Sequence, residues 1–267
     1  MELNHIVGYA GAVLTGLILG LMGGGGALLS IPVLHYLFLI PADVATGYSL
    51  FLIGVTATSG AIQNIREKLV DYNALAYYGI PSAVTVYCVR RFLIPNLPDT
   101  IIHIYGYTLD KNHTILGLLC IVMFTLAYKM ILVEPEIEQE HEVKESEIGK
   151  LIMYSVLIGL FIGVVGAGGG FLMTPALIYI AHLSIKKAIG TSLLLVAGNS
   201  LIGFMGDIHS NQTMDWKFLF IFSSFSIVGV FVGIYLQQFI QAKKLKKMFG
   251  WFVLFIAVLM VLKETLT

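Results

Sequence analysis

The chain is poor in charge. Its 16 basic and 16 acidic residues cancel and make up 12% of 267 positions, while 57% of the side chains are hydrophobic. So little polar matter cannot cover a soluble globule of this size, and the bilayer is the natural solvent. A net charge of zero argues against a nucleic-acid partner. Cysteine is scarce as well. Cys88 and Cys120 both lie in apolar segments at no metal-ligand spacing, so neither a disulfide framework nor a zinc site is expected and both read as buried structural residues. Catalytic signatures are missing: the apolar segments hold no HExxH, no GxSxG and no grouped acidic residues. A non-enzyme without cofactor or metal is expected.

What the chain does have is long apolar sequence. Ten segments stand out, at about 5–22, 26–40, 44–64, 72–93, 112–132, 150–166, 169–183, 187–206, 216–239 and 248–265. Several approach the ~20 residues that cross a hydrocarbon core, and they are continuous rather than alternating, which specifies helices and not a β-barrel. The first segment lacks a basic leader and is read as part of the mature chain. An all-α polytopic membrane protein is the expected fold class.

The sequence is written twice. Shifted by 143 residues, GLILGLMGGGGALLSIPVLHY from Gly16 overlies GLFIGVVGAGGGFLMTPALIY from Gly159, with identities at Gly16, Gly20, Gly23, Gly25 and Gly26, at Pro32 and Pro175, and further on at Ser49 and Ser192. After one inserted residue, LVDYN at 69–73 matches TMDWK at 213–217. The expected organisation is therefore a repeat over 1–133, an acidic linker over 134–150 and a second repeat over 151–267. Five segments per half would invert one half relative to the other. Basic residues agree: Arg66, Lys68, Lys129, Lys144, Lys150, Lys186, Lys187, Lys243, Lys244, Lys246 and Lys247 fall on one side, which the positive-inside rule makes cytoplasmic in a plasma or inner membrane. Arg90 and Arg91 fit that scheme poorly. The second segment of each half is short for a full crossing, so it is either re-entrant or displaced.

Short, Gly/Pro-interrupted segments at matching positions of two repeats are the best sequence pointer to a transporter's site. Here these are Gly23, Gly24, Gly25 and Gly26 before Pro32, and Gly166, Gly168, Gly169 and Gly170 before Pro175. Backbone amides freed by such breaks, with the positive end of the next helix, suit a small anion. Ser49, Thr191, Ser192 and Asn199 add neutral donors, although each of these side chains could equally bond its own helix or glue two helices together. Gly16, Gly20, Gly159 and Gly163 have the spacing of close helix crossings and are assigned to packing. His35, His182 and Asp207 are ionisable groups near segment ends, and none is placed as a proton carrier. Arg90 and Arg91 read as snorkelling at a helix end, with attraction of anions to a vestibule as the alternative.

These residues resemble the sulfite exporter TauE/SafE family. Its duplicated glycine block followed by proline is matched by GLMGGGGALLSIP and GVVGAGGGFLMTP, and its G-T-S helix start by Gly190, Thr191 and Ser192, with Tyr48 replacing the threonine between Gly47 and Ser49. The V-D-W-like loop end appears at Val70 to Tyr72 and at Met214 to Trp216. At QNIREK, 63–68, the chain lacks the histidine and glycine that relatives often show. The resemblance implies a permease for a small inorganic or organosulfur anion such as sulfite, thiosulfate or a sulfonate. The coupled proton or other ion, and a homodimeric state, stay open.

Overall fold

The computed structural model describes residues 2–24, 26–97, 100–104, 107–132, 145–208, 214–240 and 242–266. Its helices are α1 (Glu2–Met22), α2 (Ala27–Pro32), α3 (Ala42–Arg66), α4 (Tyr72–Ala74), α5 (Ile80–Cys88), α6 (Lys111–Leu132), α7 (Glu145–Val165), α8 (Gly170–Tyr179), α9 (Ile185–Asp207), α10 (Trp216–Gln237) and α11 (Ala242–Leu266). Wider π turns at Val33–Leu37, Leu75–Gly79 and Val89–Leu93 continue α2, join α4 to α5 and extend α5. A short antiparallel hairpin, β1 (Thr100–Ile104) with β2 (Tyr107–Asp110), precedes α6. Of the acidic run 134–150, residues 134–144 lie outside the described residues and the remainder opens α7.

The glycine blocks end helices. Past Met22 the chain turns through Gly23 at φ 66° and Gly24 at φ 136°. Past Val165 it turns through Gly166, Gly168 and Gly169 at φ 73°, 62° and 66°. A side chain is strained at these left-handed values and glycine is not. The helices after the breaks are short: α8 has 10 residues, about 15 Å, against a hydrocarbon core of about 30 Å. Both short helices also stop alike. Leu39 and His182 take positive φ, while Ile40 N–H donates to Leu34 O (3.2 Å) and Leu183 N–H to Leu177 O (3.1 Å), a bond spanning six residues that closes each helix end one residue wider than a Schellman cap. These paired residues are again 143 apart in sequence.

Among the described residues five helices are long and apolar enough to cross a membrane: Ala42–Arg66, His113–Leu132, Ile148–Val165, Lys186–Asp207 and Trp216–Gln237. Most of α3 and of α9 is buried, and these two pair at the centre. They run antiparallel, with Gly47 against Asp207, Gly54 against Leu201 and Gly60 against Leu193. Around them α1 packs on α10, α5 on α7 and α6 on α11. Large apolar side chains on the outer helices point away from the bundle, among them Ile121, Leu157, Phe220, Val228, Trp251 and Phe255. A surface of this kind is stable against lipid and not against water. Cys120 is buried as expected, but Cys88 is exposed on this outer surface, because α5 turns only one face inward.

Small residues set the helix distances. A Cβ on Gly16 would lie 1.9 Å from Ser226 O, one on Gly20 2.3 Å from Val230 O, and one on Gly229 2.1 Å from Val13 O. Ser226 Oγ donates to Ala12 O across this crossing (2.8 Å). Gly159 and Gly163 of α7 meet Ser82 and Val89 in the same way. Gly16→Ala is expected to force α1 and α10 apart and lower stability by about 1–3 kcal/mol. Gly117→Ala, which meets no atom within 4 Å, should not destabilise. Thermal unfolding in detergent compares the two, and equal melting temperatures would refute the packing role.

Candidate functional site

The two glycine breaks touch. A Cβ on Gly24 would fall 2.3 Å from Gly170 Cα, and one on Gly170 2.3 Å from Gly24 Cα. Either backbone approaches the other only because both residues lack a side chain. From this contact the breaks extend in opposite directions along α9 and α3. Gly23 lies against Ile189 and Ser192 near the start of α9, whereas Gly166 lies against Thr46 near the start of α3. Gly170 meets Val196, and Gly168 faces Ile53 and the Ser200 hydroxyl. The result is a seam of bare backbone along the antiparallel helix pair. Gly26 packs on Thr15 and Leu19 of α1, and Gly169 on Ile162 of α7. Gly25 lies outside the described residues.

The break after α7 leaves donors free. Gly169 N–H donates to Ala167 O (2.7 Å), and Leu172 and Met173 N–H to Gly169 O. Among the described residues no backbone carbonyl accepts from the N–H groups of Ala167 and Gly168. The surroundings are tight: a cavity of about 10 Å³ between Thr15, Leu52, Thr56 and Ser226 has room for about one water.

The four side-chain donors singled out in the sequence are not gathered in one place. Ser49 shares a hydrogen bond with Ser30 of α2, and Ser30 also donates to Ala27 O (2.7 Å), so Ser49 supplies the proton between them. In the other half Ser192 donates to Gly23 O and accepts from Thr174 of α8 (2.8 Å). Each serine is thus held by a hydroxyl of the short helix in its own half. Thr191 Oγ1 accepts from Asp71 N–H (2.9 Å), and at the matching position Tyr48 Oη accepts from Asp215 N–H (2.8 Å). The tyrosine in place of threonine keeps the same reciprocal clasp between halves. Asp71 and Asp215 then cap their helices by accepting from Ala74 and Phe218 N–H. Asn199 is tied to Ser82 of α5, donating from Nδ2 at 2.8 Å.

Arg90 is where the sequence reading fails. It does not snorkel: its side chain is 1% exposed, and Nη1 donates to Asp207 Oδ2 (3.0 Å) and Thr46 Oγ1 (3.1 Å). A charge at the end of an apolar segment normally reaches for water. Here the π turn Val89–Leu93 and the glycines of the opposing helices let it turn inward, where a Cβ on Gly206 would lie 2.8 Å from Arg90 Cβ and one on Gly166 2.4 Å from Nη2. The available signal was a pair of opposite charges, Arg90 and Asp207, at the ends of segments four and eight. Sequence alone could not show that those ends are adjacent. Among the described residues no group of His, Cys, Asp and Glu could hold a metal.

A family model described as sulfite exporter TauE/SafE matches residues 9–260. A "Probable membrane transporter protein" of Xylella fastidiosa (strain 9a5c) is 28% identical over 250 residues, covering 92% of this chain and 90% of its own length. Two proteins of Bacillus subtilis, "Probable membrane transporter protein YdhB" and "Probable membrane transporter protein YjnA", are 25% and 27% identical over 82% and 83% of this chain and 85% and 86% of their own lengths. No solved structure matches it.

Asp207→Leu leaves the buried Arg90 charge without its counter-ion and is expected to cost about 3–5 kcal/mol, most of which Arg90→Met in the same chain should recover. Thermal unfolding of the two variants in detergent measures this. Additive losses in the double variant would refute a coupled pair.

Proposed function

Because the chain belongs to the sulfite exporter TauE/SafE family, we propose that it is a secondary transporter for a small sulfur-containing anion such as sulfite, thiosulfate or a sulfonate. Its site lies between the two halves, and alternating access exposes that site to one side of the membrane and then the other. The observation that carries this reading is the contact of Gly24 with Gly170 between two broken helices. Non-helical backbone at membrane depth is tolerated where it is buried in protein or lines a cavity, and paired broken helices at a repeat interface are a recurrent way of building a transport site.

The chemistry favours an anion. The free Ala167 and Gly168 N–H groups and the start of α8 offer partial positive charge. Gly23, Gly24, Gly166, Gly168 and Gly170 form the backbone wall in this reading, with Ser49, Thr191, Ser192 and Asn199 at its margins. The tight packing around the seam fits an occluded state, and the antiparallel α3 and α9 supply the two bodies that rock. The lysine-rich loops face the cytoplasm, and the membrane is the cell membrane.

Purified protein in liposomes is expected to take up sulfite, thiosulfate or a sulfonate with saturation and counterflow. Gly24→Val and Gly170→Val, whose side chains would occupy the contact between the breaks, should reduce uptake to background. Linear flux without counterflow would indicate a channel instead, and no flux of any of the three anions in the wild-type protein would refute the substrate class.

A further inference from the structure

Part of the hydrogen-bonding capacity of Arg90 is unused. Nη1 is committed to Asp207 and Thr46, while Nε and Nη2 are buried and have no hydrogen-bond partner among the described residues. The N–H groups of Nε and Nη2 point the same way from one edge of the guanidinium, the fork that meets two oxygens of one oxyanion. This edge faces the second glycine break. A Cβ on Gly166 would stand 2.4 Å from Nη2 and 2.6 Å from Thr46 Cβ, so only a residue without a side chain fits beside this end of the fork. A buried donor left without a partner is rare in folded proteins, and two on one cation call for an explanation.

We propose that the Nε/Nη2 edge of Arg90, beside the Gly166 break, binds the transported oxyanion through two of its oxygens. The proposal rests on the transport reading above and names the cationic group of that site. Asp207 and Thr46 fix the plane of the guanidinium from its other side. With the anion absent, Asp207 neutralises the arginine, so the membrane interior never holds a bare cation. With the anion present, the fork bears its charge while Asp207 weakens the grip enough for release. The arrangement is one-sided. At the other end of the seam the residues matching Asp207 and Thr46 under the 143-residue shift are Asn64 and Ile189, and Ile234 matches Arg90 under the 144-residue shift. The two ends of the pathway therefore bind an anion unequally.

The test uses the full chain in liposomes, with sulfite as the anion and chloride as a competitor that has a single atom to offer. Arg90→Lys keeps a charge opposite Asp207 but removes the fork, and the KM for sulfite is expected to rise by roughly tenfold or more. The preference for sulfite over chloride should collapse with it, which a merely structural arginine would not cause. Arg90→Gln/Asp207→Asn removes both charges together and should show the same loss. A wild-type KM and preference in either folded variant overturns the proposal and leaves the transport reading standing. Wild-type protein that moves none of the sulfur anions overturns that reading itself. Should neither variant elute as folded protein, an electron cryomicroscopy map of the wild type in sulfite decides: density within hydrogen-bond reach of Nε and Nη2 sustains the proposal, and density elsewhere or none overturns it.

Discussion

The approach of bare backbones along α3 and α9 is the constraint on which the other features depend. Two chain segments whose Cα atoms leave no room for a methyl group can meet only where both are glycine, as Gly24 and Gly170 are. That contact requires α1 and α7 to stop short of it, which the positive φ values of Gly23 and Gly166 accomplish. It also requires the next helices to be short, since α2 and α8 must leave room for each other near the middle of the bundle. The outer crossings of α1 on α10 and of α5 on α7 use the same device less strictly, with a glycine on one helix facing a backbone carbonyl on the other. Close approach then substitutes dispersion and bare contact for the hydrophobic drive that is missing between helices in lipid.

Such a seam has a cost in polar satisfaction. Breaking a helix in a region without water leaves backbone N–H and C=O groups that need partners. Most have them: the closing backbone bonds just past Leu39 and His182, the Ser192 hydroxyl on Gly23 O, and the reciprocal bonds of Thr191 and Tyr48 to the aspartate loop ends of the opposite half. Some buried groups have no partner among the described residues, the Tyr78, Ser200 and Ser223 hydroxyls included. The Ala167 and Gly168 N–H groups and the outer edge of Arg90 are all donors, and all adjoin the break after α7. In the transport reading proposed above, these donors favour an anion.

Much of this was legible along the chain. Mean hydropathy and continuous apolar runs specify a helical membrane protein, and the helices begin and end close to the ten predicted segments. The glycine blocks announce their breaks because few other residues tolerate φ near +70°. The aspartates at 71 and 215 announce helix starts, since a carboxylate there satisfies an orphan amide. Arg90 was not legible. A basic residue near the end of an apolar segment has the same local sequence whether it reaches out to water or folds inward, and only the position of α9 distinguishes the two. The hydroxyl residues were ambiguous for a similar reason, because a serine in a lipid-spanning helix serves its own backbone, a neighbour or a ligand with the same atoms.

By itself, then, the sequence determined the solvent, the elements and the points where helices must stop, because each depends on composition or on conformational preferences of a few neighbouring residues. Only the tertiary structure decided which breaks meet, that Tyr48 and Thr191 clasp opposite halves, and that Arg90 is buried against Asp207. Those facts depend on residues more than a hundred positions apart, joined by antiparallel packing of α3 on α9. No local preference encodes such a pairing.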